Sequence, residues 1–141
     1  MKILVAVDGS TYTLKALDYL TLHREMFIER NELVLVHVST GIPGHVARHV
    51  SKEVVESYYA EECAKVLDPI KVAMERREVT NFTMQQRHGH AAEEILKAAH
   101  EIGAGLIVMC THGHGIFGRA LLGSVATKVL AETDISVLLV E

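Results

Sequence analysis

Five short apolar runs rich in Val, Ile and Leu recur along the chain and constrain its fold more than any other feature. They are Ile3–Val7, Leu33–Val38, Phe82–Gln86, Leu106–Cys110 and Ile135–Val140. Four of them are nearly continuous apolar blocks, as expected of strands buried on both faces of a parallel sheet. The run at Phe82 is more polar, and we expect it at an edge of the sheet.

Between these runs, apolar residues three or four positions apart predict helices. The first stripe begins after Ser10, a residue able to cap a helix start, and the second covers residues 59–74. The third ends near Gly103, and the fourth begins at Val125. Alternating strands and helices predict an α/β fold in which a parallel sheet is joined by right-handed crossovers. No repeat, low-complexity tract or linker interrupts the pattern, so we predict a single domain spanning residues 1–141.

Composition narrows the classes of function. The 141 residues include 14 Lys and Arg against 18 Asp and Glu, for a net charge of −4, and the basic residues are scattered. This argues against a nucleic-acid binder. The longest apolar runs are far shorter than the roughly 20 residues that cross a bilayer, so no membrane span is expected. Two widely separated cysteines favour a reducing compartment, and we expect a cytoplasmic protein.

A glycine-rich stretch, Thr111–Ser124, follows the fourth apolar run. Its four glycines are Gly113, Gly115, Gly118 and Gly123. Loops at the carboxyl ends of parallel strands line the ligand crevice of an open α/β sheet. Glycines there let backbone N–H groups approach phosphate oxygens, and the start of the next helix adds a favourable dipole. The alternative is that these glycines only shape a long loop.

Two known phosphate-binding motifs do not fit this stretch. The spacing Gly113-x-Gly115-x-x-Gly118 spells a dinucleotide fingerprint, but that motif opens a long βαβ unit and needs an acidic residue about 20 positions later. Position 138 is leucine. The same stretch has Walker A glycine spacing, yet Arg119-Ala120 replaces the lysine and the hydroxyl residue that bind phosphate and magnesium. We therefore exclude both motifs.

A set of fragments in a fixed order resembles the universal stress protein family, in its ATP-binding subgroup. They are Ile3-Leu4-Val5-Ala6-Val7-Asp8-Gly9-Ser10, Leu35-Val36-His37-Val38, Ala92-Glu93-Glu94-Ile95, Leu106-Ile107-Val108 with Thr111-His112-Gly113, and Leu121-Leu122-Gly123-Ser124-Val125-Ala126. The family motif Gly-x2-Gly-x9-Gly-Ser/Thr corresponds to Cys110-x2-Gly113, nine residues, then Gly123-Ser124. The resemblance implies an open, five-stranded parallel sheet of order 3-2-1-4-5 with helices on both faces, Rossmann-like and similar to the adenine nucleotide alpha hydrolases.

The resemblance also implies a bound ATP, with Mg²⁺, and a role for each matching residue. Asp8 would lie beside adenine and ribose, and Val38 would contact adenine through its backbone. The ribose and phosphates would lie against Gly113, Gly123, Ser124 and Val125. Two departures from the family pattern are Cys110 at the first motif glycine and Gly105 where an Asp is common. Unlike glycine, Cys110 brings a Cβ atom and a sulfur to this position, and these atoms have the bulk to crowd the ribose–phosphate path.

Histidines give a competing hypothesis. Five of the nine lie at or just beyond the carboxyl ends of predicted strands, namely His37, His88, His90, His112 and His114. His45 and His49 have the spacing that places two imidazoles on one helical face. With Cys110 as a soft ligand, such residues would form a metal or thiol sensor. Tight metal-ligand motifs are missing, however, so we predict no metal site and interpret these histidines as polar loop residues.

The sequence contains no nucleophile elbow, no paired carboxylate motif and no evident metal-ligand set for phosphoryl transfer. We therefore expect a binding protein, with at most slow ATP hydrolysis. The last run, Ile135–Val140, is apolar on both faces and lies at an edge of the implied sheet, where proteins usually cover an apolar strand. Pairing with the same strand of a second copy predicts a homodimer. We expect a nucleotide-dependent stress-response regulator read by a protein partner, and the alternative is a dimeric adaptor that binds no nucleotide.

Overall fold

The computed structural model describes residues 1–42, 44–112 and 122–141. Its elements follow in the order β1 (Lys2–Ala6), α1 (Thr11–Leu22), α2 (Arg24–Phe27), β2 (Glu32–Ser39), α3 (Gly44–Ala47), α4 (Lys52–Arg76), β3 (Phe82–His88), α5 (Ala91–Ile102), β4 (Ala104–Cys110), α6 (Ser124–Glu132) and β5 (Val137–Val140). Each predicted strand is present, although β5 begins at Val137 and not at Ile135.

The strands form one parallel sheet in the order β3-β2-β1-β4-β5. This order confirms the prediction, including the edge position of β3. The central strand β1 pairs with β2 at Leu4↔Val34 and with β4 at Leu4↔Ile107. The strand order reverses between β1 and β4, so the connections that follow these two strands lead to helices on opposite faces of the sheet and leave a crevice between them.

Side chains that alternate along each strand build two cores, one on each face of the sheet. Ile3 and Val5 of β1 pack with α1 and α4, in a cluster that includes Leu17, Ile70 and Met74. Leu4, between them, packs on the other face with α5 and α6. The two-sided burial of β1 explains why its sequence is a continuous apolar run rather than an alternating one.

Helix α4 is the longest helix, with 25 residues, and its two halves differ. Ser51 caps its start, accepting a hydrogen bond from the amide of Val54 at 3.2 Å. The first half is mostly exposed, whereas Leu67 and Ile70 in the second half are buried against the sheet. Among the described residues, no helix is both long enough and apolar enough to cross a lipid bilayer.

Helix boundaries agree with the sequence at two places and differ at a third. Helix α5 ends at Gly103, whose φ of +68° is the left-handed conformation that glycine adopts most readily. Ser10 precedes α1 as predicted, but its hydroxyl donates to Asp8 Oδ1 and does not cap a helix amide. The predicted pairing of His45 and His49 on one helical face is wrong, because α3 ends at Ala47 and His49 lies in the turn beyond it.

Candidate functional site

A crevice of about 460 Å³ lies at the carboxyl ends of β1, β2 and β4. Its volume is within the range of small-molecule and cofactor sites, about 300–1,000 Å³. The residues predicted from the sequence that line it are Asp8, Val38, Cys110, Gly123, Ser124 and Val125. The seventh, Gly113, lies outside the described residues. The crevice therefore brings together the described part of the predicted site.

The start of α6 presents backbone donors to this crevice. The first hydrogen bond inside the helix runs from the amide of Thr127 to the carbonyl of Gly123, at 3.0 Å. The amides of Ser124, Val125 and Ala126 precede that bond and therefore have no partner within the helix. All three residues line the crevice. Three N–H groups at the positive end of a helix dipole form a site for an anion.

Gly123 connects this helix start to β4. Its amide donates to the carbonyl of Thr111 at 2.7 Å, which fixes α6 beside the end of β4. Its φ of −60° is open to any residue, so backbone conformation does not require glycine here. A glycine at this position instead leaves the space beside the helix amides free of a Cβ atom.

Val38 presents backbone hydrogen-bonding groups to the crevice. The amide of Val7 donates to Val36, and the amide of Gly89 donates to Ser39, both at 2.9 Å. Because successive residues of a strand direct their N–H and C=O groups to opposite sides, those of Val38 face the β1 side. Strand β1 ends at Ala6 and its last pairing is with Val36. Within the described residues, the N–H and C=O of Val38 are therefore left unpaired at the crevice.

Asp8 lies in the turn between β1 and α1, where one oxygen is used for structure. Its Oδ1 accepts hydrogen bonds from the amide of Ser10 at 2.9 Å, from the Ser10 hydroxyl and from Thr13 Oγ1 at 3.1 Å. The amide of Asp8 in turn donates to Thr13 Oγ1 at 3.0 Å. In the described part of the chain no hydrogen bond reaches Oδ2. The carboxylate is thus held firmly and retains one acceptor oxygen at the crevice.

His37 lines the crevice on the α4 side, and its ring is held by a backbone carbonyl. Its Nδ1 lies 3.1 Å from the carbonyl oxygen of Val7. A carbonyl oxygen only accepts, so Nδ1 is the donor in this contact. Tyr58, Glu62 and Val66 of α4 complete this wall. These three residues are not predicted from the sequence, because their place in the site depends on how α4 passes the crevice.

Cys110 ends β4 at the crevice, and its thiol donates to the carbonyl oxygen of Tyr12 at 3.0 Å. Burial, with a smaller contribution from the Asp8 carboxylate, raises the pKa of the Cys110 thiol to about 11. The thiol is therefore protonated at neutral pH, whereas reactive cysteines are thiolates. Both cysteines of the chain are free thiols. This environment does not favour a thiol sensor at Cys110.

The histidines at the strand ends make local contacts. The rings of Tyr12 and His112 lie 5.6 Å apart, and His112 Nδ1 is 2.9 Å from Thr111 Oγ1. His114 lies outside the described residues. Across residues 1–42, 44–112 and 122–141, no three His, Cys, Asp or Glu side chains are grouped closely enough to hold a metal ion.

The fold is that of an open parallel α/β protein, and its crevice lies where the strand order reverses, the place at which such proteins commonly bind ligands. The model of the universal stress protein family matches residues 1–141. The chain therefore belongs to the universal stress protein family. One relative, from Thermus aquaticus, is a universal stress protein 32% identical over 142 residues, covering 98% of this chain and 96% of that protein. Universal stress protein YxiE of Bacillus subtilis is 33% identical over 153 residues, covering 99% and 97%.

Solved structures share the fold. A universal stress protein from Burkholderia pseudomallei is 30% identical with a TM-score of 0.69, covering 99% of this chain and 94% of that one. A universal stress protein in complex with cAMP has a TM-score of 0.68 at 20% identity, covering 100% and 96%. The universal stress protein of Archaeoglobus fulgidus in complex with dAMP has a TM-score of 0.70 at 18% identity, covering 100% and 98%.

Proposed function

We propose that this universal stress protein binds an adenine nucleotide in the crevice, with ATP and Mg²⁺ as its ligand. The observation that carries the proposal is the set of unpaired amides of Ser124, Val125 and Ala126 at the crevice. Backbone amides at a helix start suit phosphate oxygens. The two relatives of the same fold solved with cAMP and with dAMP support an adenine nucleotide as the class of ligand.

The opposite wall suits the base and the sugar. An unpaired N–H beside an unpaired C=O, as on Val38, complements the acceptor and donor on the Watson–Crick edge of adenine. Asp8 Oδ2 suits a ribose hydroxyl. Asp8 and Glu62 give the described crevice wall negative charge, which disfavours bare phosphates. Mg²⁺ bound to the phosphates would offset that repulsion, since this ion is usually held by phosphates and one or two carboxylates.

The N–H of Ser124 offers a direct test, because Ser124 is the first residue of α6. Proline is tolerated at that position, and the preceding residue, Gly123, already has the extended conformation that proline requires (ψ 154°). Ser124→Pro should therefore keep the helix and remove one phosphate donor. We expect the affinity for ATP with Mg²⁺, measured by isothermal titration calorimetry, to fall by about 10- to 100-fold, as for a hydrogen bond to a charged group.

Two control variants separate the possible causes. Ser124→Ala removes the hydroxyl and keeps the amide, so it reports the side chain alone. Lys52→Pro makes the same backbone change at the first residue of α4, after Ser51 with a similar ψ of 157°. It should leave ATP affinity unchanged. Equal affinity in wild type and Ser124→Pro would argue against phosphate binding at α6, and no heat with ATP, AMP or cAMP would contradict the proposed function itself.

We further propose that nucleotide occupancy alters a surface read by a protein partner, and that the protein acts as a cytoplasmic homodimer paired through β5. The two free thiols support a reducing compartment. We expect binding rather than catalysis, with at most slow hydrolysis. Release of phosphate from ATP over hours, compared between wild type and Ser124→Pro, tests that expectation. Rapid turnover that is lost in the variant would contradict it.

A further inference from the structure

The segment by which the chain leaves β2 is tied to two aromatic side chains that lie outside the crevice. We call residues 39–42 the β2 exit segment. Ser39 and Gly41 line the crevice directly beyond Val38. Tyr59 of α4 and His88 of β3 do not line it, yet both contact this segment.

Tyr59 holds the far end of the β2 exit segment. Its phenol oxygen accepts a hydrogen bond from the amide of Ile42 at 3.0 Å. Gly41 has a φ of +84°, and a Cβ atom at this position would lie 2.9 Å from the same phenol oxygen. Glycine at position 41 thus permits both the left-handed turn and the close approach of the tyrosine. The backbone carbonyl of Tyr59 is itself fixed by Gln86 Nε2 at 2.7 Å.

His88 holds the other end of the β2 exit segment, at Ser39. Its Nδ1 lies 2.7 Å from Ser39 Oγ, and the next residue, Gly89, donates its amide to the carbonyl of Ser39 at 2.9 Å. The rings of Tyr59 and His88 lie against each other, with centroids 3.8 Å apart and planes inclined by 31°. The two contacts are therefore one unit that joins α4 and β3 to the β2 exit segment.

We propose that Tyr59 and His88 are positioning residues for the ligand, because they hold the β2 exit segment so that the unpaired backbone of Val38 faces the crevice. This inference rests on the proposed function, since it concerns affinity for the same ligand. If the segment is loosened, only a fraction of molecules presents the competent wall, and the apparent affinity is reduced to that fraction of its intrinsic value. The inference requires no contact between either ring and the nucleotide.

Tyr59→Phe tests the inference because it keeps the ring pair and removes one hydrogen bond. We expect affinity for ATP with Mg²⁺ to fall by about 2- to 10-fold, as for a neutral hydrogen bond. Hydrogen exchange at the amide of Ile42 should speed up by a similar factor. Tyr19→Phe is the matched control, since its ring lies on α1 and its phenol has no hydrogen bond among the described residues. His88→Ala, which removes the Ser39 contact and the ring pair, should weaken binding at least as much as Tyr59→Phe.

The outcomes separate this inference from the proposed function. Faster exchange at Ile42 with unchanged ATP affinity in both variants would overturn the positioning role alone. A loss of ATP affinity in Tyr59→Phe that is no larger than the loss in Tyr19→Phe would also overturn the positioning role. A wild-type protein that binds none of ATP, AMP and cAMP would overturn both. Weaker binding in Tyr59→Phe and His88→Ala, with exchange at amides in β1 and β4 unchanged, supports the inference.

Discussion

Cys110 donates its thiol hydrogen to the carbonyl oxygen of Tyr12 across 3.0 Å, which joins the end of β4 to the first turn of α1. The first glycine of the family motif is thus replaced by a residue that makes a defined contact. Its sulfur is directed towards α1 and packs against the α1–α4 core. The burial and the contact of this thiol bear on its reactivity, on the stability of the protein at high pH and on ligand affinity.

The thiol of Cys110 should be slow to react. Its pKa is raised from an ordinary 9.0 to about 11, first by burial and then by Asp8. We expect Cys63→Ser, which leaves Cys110 as the only thiol, to be alkylated by iodoacetamide much more slowly at pH 8 than Cys110→Ser. Burial and the nearby Asp68 also raise the pKa of Cys63. Equal alkylation rates in the two variants, both folded, would contradict the prediction.

The same shift has a consequence for stability. A raised pKa means that the folded protein holds this proton more tightly than the unfolded chain does. Its stabilising contribution is therefore complete below pH 9 and is lost as the pH rises towards 11. Wild type should accordingly lose more thermal stability than Cys110→Ser between pH 8.5 and pH 10.5 in matched melts. Parallel loss in the two proteins would indicate that Cys110 titrates normally.

Replacing Cys110 with glycine restores the family motif, and we expect ATP affinity to be unchanged because the sulfur is directed towards Tyr12. Relative to Cys110→Ala, stability should fall by about 0.5–1 kcal/mol, the usual cost of glycine in a strand, as measured by urea unfolding. Cys110→Ala is the control that removes the thiol and keeps Cβ. A gain in ATP affinity in Cys110→Gly, but not in Cys110→Ala, would instead indicate that Cβ crowds the ribose–phosphate path.

Thr13 should stabilise the turn that carries Asp8. It is only 2% exposed, and its hydroxyl accepts from the amide of Asp8 while it donates to an oxygen of the same residue. Thr13→Val keeps the shape of the side chain and leaves the amide of Asp8 without its hydrogen-bond partner. The free energy of unfolding in urea should fall by about 1–3 kcal/mol. The control is Thr21→Val, because the hydroxyl of Thr21 donates to the carbonyl of Leu17 within α1. A loss no larger than in that control would show that the Asp8 turn is stable without Thr13.

Much of the fold could be predicted from the sequence because the physical signals are local. Continuous apolar runs indicate strands covered on both faces, and Gly103 marks the end of a helix by its conformation. The sheet order followed from the family resemblance. The start of α6 at Ser124 agrees with the apolar stripe that begins at Val125, directly after Gly123-Ser124. The predicted roles of Asp8, Val38 and the α6 start remain predictions.

Other features depend on how separate elements meet. The backbone of Val38 is unpaired only because β1 ends before β2 does. The amino-acid types at these positions do not indicate that one strand extends beyond the other. Likewise, the contact between Tyr59 and His88 joins two elements that are far apart in the chain, so from the sequence alone His88 is interpreted as a polar loop residue. A serine before a helix can bond either to the helix amides or to another nearby group. Ser10 does the second, because its hydroxyl donates to Asp8 Oδ1.

Strand β5 should form the dimer interface through backbone groups of known direction. The amide of Ile107 donates to Ser136, and the amide of Thr111 donates to Val140, so even-numbered residues of this segment face β4. The N–H and C=O of Val137 and Leu139 therefore face the open edge. Pairing with a second β5 would satisfy them. Proline is tolerated in an edge strand where its missing N–H faces outward.

Leu139→Pro should consequently leave the β4–β5 pairing intact and abolish dimer formation. We expect sedimentation velocity to give the mass of a dimer for wild type and of a 15.5 kDa monomer for the variant. Leu139→Ala is the control, because it loses the same packing against the α5–α6 core and keeps its outward amide. It should remain dimeric. A wild type that sediments as a monomer at all concentrations would rule out the dimer, and a dimeric Leu139→Pro protein would move the interface away from β5.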